Sequence, residues 1–118
     1  MNIEELRNYC LCKKAVTEGF PFDEVTLVFK VMGKIFALVN LDSDLSVNLK
    51  CLPEKAIELR EHHPAVIPAY HMNKTHWNTV NIDGSIDDKL IYKWIDDSYN
   101  LIVNSLTRKQ KESLLTEN

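Results

Sequence analysis

The residues best equipped for chemistry crowd into the middle of the chain. Lys50, Arg60, His62, His63, Tyr70, His71, Asn73, Lys74, His76 and Trp77 fall within one short stretch. Cations next to amphipathic rings suit phosphate contact combined with stacking or a cation–π contact. Asn73 carries the amide that reads a base edge. Further upstream, Lys30 and Lys34 bracket the Met32-Gly33 pair, where a hairpin wing would meet a sugar-phosphate backbone. The same residues admit two other readings. A loop between prolines is pinned to a sheet by such groups, with Trp77 in the core and the polar side chains satisfying backbone. Alternatively, the surface takes a protein partner or a small anion. Lysines beside a turn are also ordinary solubilising flanks.

Other chemistries find less support. Three glycines, spaced 14 and 51 residues apart, cannot form a phosphate-cradling loop. His62, His63, His71, His76 and Cys51 lack the two tight ligand pairs of a structural zinc site. His62 and His63 suit a helix C-terminus, where cations complement the dipole. Cys51 precedes Leu52 and Pro53 rather than the small residues of an oxyanion turn. Asp87-Asp88 and Asp96-Asp97 are adjacent pairs, which diverge on a helix, and the first of them belongs to a helix N-terminus. These patterns lead us to expect no catalysis, no metal and no cofactor. Cys10, Cys12 and Cys51 are an odd number, kept as thiols in a reducing compartment, and Cys10 and Cys12 read as buried packing residues.

A formal charge of −3 argues against an indiscriminate polyanion binder. The charge is uneven, however. Residues 1–49 and residues 77–118 each hold five basic and seven acidic side chains, whereas residues 50–76 hold four basic against three acidic and all four histidines. The composition, 45% hydrophobic and 26% charged over 118 residues, fits one folded domain, 1–118. The longest apolar run, Ile35 to Val39, falls far short of the roughly 20 residues of a spanning helix. Glu4 and Glu5 occupy the place where an export signal would be basic. A cytoplasmic protein with no membrane partner, a monomer or weak homodimer, is the expectation.

These side chains need a scaffold. Asn2 with Glu5 has capping-box spacing for a first helix, which should end near Val16 to Gly19. Phe20 and Phe22 should plug one end of the core. From Val25 the period changes to two. Val25, Leu27, Phe29 and Val31 form one strand, Ile35 to Val39 the return strand after Met32-Gly33, and Leu45, Val47 and Leu49 a third. Short loops make this an antiparallel meander. Pro53 opens a helix to Glu61, and Pro68 keeps the following stretch irregular. Trp77 to Ile82 reads as a further strand. Ser85 with Asp88 should cap a long helix to about Leu106, with Ile91, Trp94, Ile95, Ser98 and Ile102 inward. Thr107 with Gln110 caps a short last helix, and residues from about 114 to 118 should fray. The fold class is α+β: a single antiparallel sheet packed against the N-terminal and C-terminal helices, its other face partly solvated.

Several strings carry a resemblance. Tyr9-Cys10, Val28-Phe29-Lys30-Val31, Lys34-Ile35-Phe36-Ala37-Leu38, Asn48-Leu49-Lys50-Cys51, Tyr70 to Trp77, Asp83-Gly84 and Asp97-Ser98-Tyr99 run in order over nearly the whole chain. In these the sequence resembles the MmcQ/YjbR family, small bacterial proteins of CyaY-like fold described as double-wing DNA-binding proteins. The resemblance implies weak or accessory DNA binding without catalysis. It points to Lys30, Lys34, Lys50, His71, Asn73, Lys74, His76 and Trp77 as the contact surface. The alternative is a protein-interaction or small-anion-binding module.

Overall fold

A computed structural model describes residues 1–116. Helix α1 (Ile3–Leu11) starts at the expected box: the Asn2 side chain accepts from the Glu5 amide, and the Glu5 carboxylate accepts from the Asn2 amide. It stops earlier than its apolar stripe suggested. Cys12 is the C-cap, and Ala15 takes a left-handed turn at φ 59°. The β-branched pair Val16-Thr17 then opens β1 (Val16–Gly19), which pairs with the next strand instead of extending the helix. Cys10 is buried, but Cys12 is exposed at the cap, so only one of the two thiols packs.

Strands β2 (Thr26–Val31), β3 (Lys34–Asn40) and β4 (Ser46–Lys50) form the expected meander. Met32 (φ 50°) and Gly33 (φ 81°) make the β2–β3 turn. Helix α2 (Pro53–His62) follows, with proline at its start and the His62 ring against its own last-turn carbonyl at Glu58. Two short strands close the sheet, β5 (Val66–Pro68) and β6 (Trp77–Asn81). Pro68 does not keep this stretch irregular, because β5 is an edge strand, where a missing donor is tolerated. The order is β1-β2-β3-β4-β6-β5, and all five pairings are antiparallel.

Helix α3 (Asp88–Asn104) lies over the middle strands, and α2 over β5 and β6. The covered face therefore involves α2 as well as the first and last helices. Asp87, not Ser85, caps α3: its carboxylate accepts from the Lys89 amide, while Ser85 is held by Asp83. Leu6, Phe29, Phe36, Val39, Val47, Leu49, Ile91 and Ile95 fill one core between sheet and helices. Helix α4 (Arg108–Thr116) has the reciprocal Thr107–Gln110 cap and buries Leu114, so the chain is helical where fraying was expected to begin. Residues 117–118 of the expected frayed tail lie outside the described residues. Among the described residues no helix is long and apolar enough to cross a membrane.

One buried hydroxyl joins the layers. Beyond the Ala37–Leu49 pair the β3–β4 ladder would continue with Phe36 opposite Lys50. Instead the Ser98 hydroxyl stands between them, accepting from the Lys50 amide (2.9 Å) and donating to the Phe36 carbonyl (2.6 Å). Helix α3 thus completes the ladder where β4 ends.

Candidate functional site

Strand alternation sends the core residues to the helices and leaves a second set on the opposite face. Val28, Leu38, Asn48, Thr79 and Ile67 form its central row, linked by consecutive cross-strand pairs. One end of the face carries Lys30 paired with Ile35, and Lys50 paired with Trp77. The other end carries Thr26 paired with Asn40, and Ser46 paired with Asn81. Val28, Leu38, Ile35 and Trp77 all lie outside the hydrophobic core cluster.

The β2–β3 turn and the long β5–β6 loop project from the same end of the sheet, because both hairpins reverse there. Their midlines are three strand spacings apart in the order of the sheet, about 14 Å at the usual inter-strand distance. Lys50 ends β4 between them. Lys30, Lys50 and Lys74 form no ion pair among the described residues. The opposite end is acidic. Its loops carry Asp23, Glu24, Asp42, Asp44 and Asp83, with no Lys or Arg in residues 20–25, 41–45 or 82–87. Backbone and hydroxyl donors hold two of these carboxyls below the ordinary range, Asp23 through Val25 and Thr26, and Asp83 through Ser85.

The residues singled out in the sequence separate into two groups. Lys30, Lys50 and Trp77 stand half-buried on the solvent-facing side, while His71 and Lys74 are exposed on the loop. The Lys74 ammonium sits 4.9 Å from the Tyr70 ring centroid, a cation–π geometry. Lys34 shares this end, but its ammonium reaches the Ser105 carbonyl at the C-terminus of α3 (3.3 Å), toward the helix layer. Asn73 and His76 build the loop. The Asn73 side-chain oxygen accepts from the Thr75 amide, and its carbonyl accepts from the His76 and Trp77 amides. These bonds give Asn73 a structural role in the turn. The His76 carbonyl accepts from the Cys51 amide (2.7 Å), tying the loop to the end of β4.

Arg60, grouped with the cations by sequence, is a clamp. One guanidinium nitrogen donates to the Lys74 carbonyl (3.1 Å) and to the side chain of buried Asn78 (3.0 Å). Asn78 in turn donates to the Ala56 carbonyl of α2. Trp77 is absent from the core, while Phe20 and Phe22 do not plug it: they are 48% and 65% exposed. Phe22 instead walls a groove of about 490 Å3 across the open face, with His71 and Met72 opposite and Ile35, Leu38 and Asn48 on its floor. Sequence reasoning missed this groove. The signal was available in the strand that is apolar on both faces, since only one face can meet the helices.

Cys51 and His71 do not meet as nucleophile and base. Cys51 lies on the helix side, where burial pushes its thiol up to about 11, and its side-chain neighbour is Asn78 at 4.0 Å. Among the described residues no three His, Cys, Asp or Glu side chains gather closely enough to hold a metal ion.

Comparison with known proteins agrees with this architecture. A YjbR family model matches residues 11–101. The Escherichia coli K12 protein bearing the name uncharacterized protein YjbR is 38% identical over 116 residues, 98% of each chain. The YbdF protein of Escherichia coli O157:H7 is 37% identical over 79% of this chain and 77% of its own. The crystal structure of Deinococcus radiodurans protein DR2400 superposes with a TM-score of 0.89 at 38% identity, covering 96% of this chain and 87% of that one. A Pseudomonas syringae crystal structure follows at 0.75 and 32%, over 86% and 98%. By family model, sequence and fold alike, the chain belongs to the YjbR family.

Proposed function

We propose that this protein binds DNA weakly, as an accessory factor and without catalysing a reaction, through the end of the sheet where its two hairpins project. One observation carries the reading. Lys30, Lys50 and Lys74, none of them in an ion pair among the described residues, line one end of the sheet together with Trp77 and Tyr70, beside a face that the helices leave uncovered. Phosphate contacts supply affinity, and rings supply stacking that tolerates any base. The acidic far end repels phosphate, so the footprint is short and the binding weak. Three cations on phosphates give a log–log salt slope of about −2.7 on duplex DNA. The acting species is a monomer or weak homodimer.

Fluorescence anisotropy with labelled duplex, at low and at moderate salt, tests this. Lys30→Glu, Lys50→Glu and Lys74→Glu together should abolish binding. Lys109→Glu with Lys111→Glu, on α4, should leave it nearly unchanged. No binding at low salt by micromolar protein, or equal loss in the α4 control, would overturn the proposal.

The groove beside Phe22 favours a second reading, a protein-interaction module. Phe22, Ile35, Leu38 and Met72 give it apolar contact surface where a DNA surface would be polar. On that reading Phe22→Ser abolishes partner capture, and the triple lysine variant does not.

A further inference from the structure

On the helix side of the sheet, a cavity of about 290 Å3 opens between α2, α3 and the end of β4. Its interior is apolar, formed by Leu59, Leu101 and the nearly buried Trp94. The edge of His63 packs on Trp94, with ring centroids 5.2 Å apart, and holds the indole in place. Leu52 at the mouth is 61% exposed, apolar surface with no protein cover. The polar groups lie at the rim.

Their charge selects the occupant. Of the two lysines in the lining, Lys50 turns its side chain to the open face with Trp77, and Lys55 stays on the helix side. Lys55 has only a loose 3.6 Å contact to exposed Glu58. The one acid in the lining, Asp97, is paired with Lys93 at 3.1 Å. Asn100 and Asn104, one helical turn apart, add amide donors. An apolar chamber with a few convergent polar groups is the usual architecture of a small-ligand site, and this volume stands at the lower end of that range.

We propose that the cavity binds a small amphipathic anion, an apolar body of one or two rings carrying a single carboxylate or phosphate. The body lies against Trp94, Leu59 and Leu101, and the anionic group faces Lys55. The assignment rests on the cavity alone and stands whether or not the open face binds DNA.

The two tryptophans make it testable, because Trp94 borders the cavity and Trp77 the opposite face. In nitrogen-15 NMR spectra the Trp77→Phe variant identifies both indole signals by the one it loses. The probes are 1-naphthoate, 1-naphthalenemethanol and 1-naphthylmethylamine. Naphthoate should shift the Trp94 signal saturably and leave Trp77 in place. The alcohol should bind about fivefold more weakly, as expected for loss of one exposed ionic contact. The amine should be weaker still. Lys55→Glu, a surface change, should erase the preference for the acid while native spectral dispersion persists. An unmoved Trp94 signal, amine binding equal to that of the acid, or a shift at Trp77 alone would overturn the proposal.

Discussion

Replacing Ser98 by alanine removes the hydroxyl that completes the β3–β4 ladder. The side chain is fully buried, so the Lys50 amide and the Phe36 carbonyl lose their shared partner in a place that excludes water. A buried polar group left unpaired costs roughly 1–3 kcal/mol. Two such groups, less what the strands recover by closing toward each other, give about 2–4 kcal/mol. A domain of this size has roughly 6–18 kcal/mol in all at the usual stability per residue, so the loss is a substantial fraction. Urea unfolding of the wild type and Ser98→Ala should show that difference in midpoint at unchanged slope. Hydrogen exchange should quicken at the Lys50 amide before it does at Val47 or Val80. A loss below about 1 kcal/mol, with the Lys50 amide still protected, would mean that the strands bond directly once the hydroxyl is gone. The serine would then be filling space and not completing a ladder.

Two further outcomes follow from the same kind of accounting. Arg60→Met keeps the packing stem but strands the Lys74 carbonyl and the Asn78 side chain, at about 1.5–3 kcal/mol; proteolysis should quicken within residues 70–76, and an unchanged cutting rate would remove Arg60 as the loop's clamp. Alkaline pH should destabilise the fold: burial pushes the Cys10 thiol up to about 12 and Cys51 up to about 11, both from 9.0. Above pH 9 the unfolded chain therefore releases protons that the native state keeps, and stability falls with a slope approaching about 1.4 kcal/mol per pH unit for each thiol. Urea midpoints at pH 8, 9.5 and 10.5 measure it, and Cys51→Ala should make the slope shallower, while Tyr9, Tyr92 and Tyr99, whose hydroxyls burial also pushes up, sustain part of it. A flat profile would refute the burial of these thiols.

The meander was legible because two-residue periodicity survives in long strands bounded by clear turns, as between Thr26 and Lys50. The edges were not. Strands β1 and β5 are only four and three residues long, too short to display a period. The first-helix stripe ran on into Val16 because Ala15, with no glycine to announce it, makes the left-handed turn. Ser85 and Asp87 compete for one helix start, and the Asp83-Gly84 turn decides between them by engaging Ser85. Three-residue spacing alone contains no trace of that competition.

The candidate cluster was legible as a set of neighbouring residues and not as a set of roles. Lys50, Lys74, His76 and Trp77 share one end of the sheet because β4 and β6 pair in the register that puts Lys50 opposite Trp77. Residue type left Arg60, Asn73 and Lys74 equally eligible for contact. Hydrogen bonding separates them, since two are occupied in shaping the loop and the third points outward.

The separation of charge along the strands explains how a chain of net charge −3 can still present a cationic surface. Antiparallel strands alternate their turns between two ends, so sequence-adjacent loops land at opposite ends of the sheet. The acidic loops after β1, β3 and β6 collect at one end, and the lysines of the β2–β3 and β5–β6 hairpins at the other. With a screening length near 8 Å at physiological salt, a phosphate beside Lys50 responds to nearby lysines and scarcely to Asp42, several residues along the strands. At low salt the screening length grows toward the size of the domain, and the distant acids are felt. Repulsion from the far end then offsets part of the gain that dilution normally brings. The measured salt slope should accordingly be shallower at the lowest salt than three phosphate contacts alone would give. Neutralising Asp42 and Asp44 to asparagine should steepen it there, and only there.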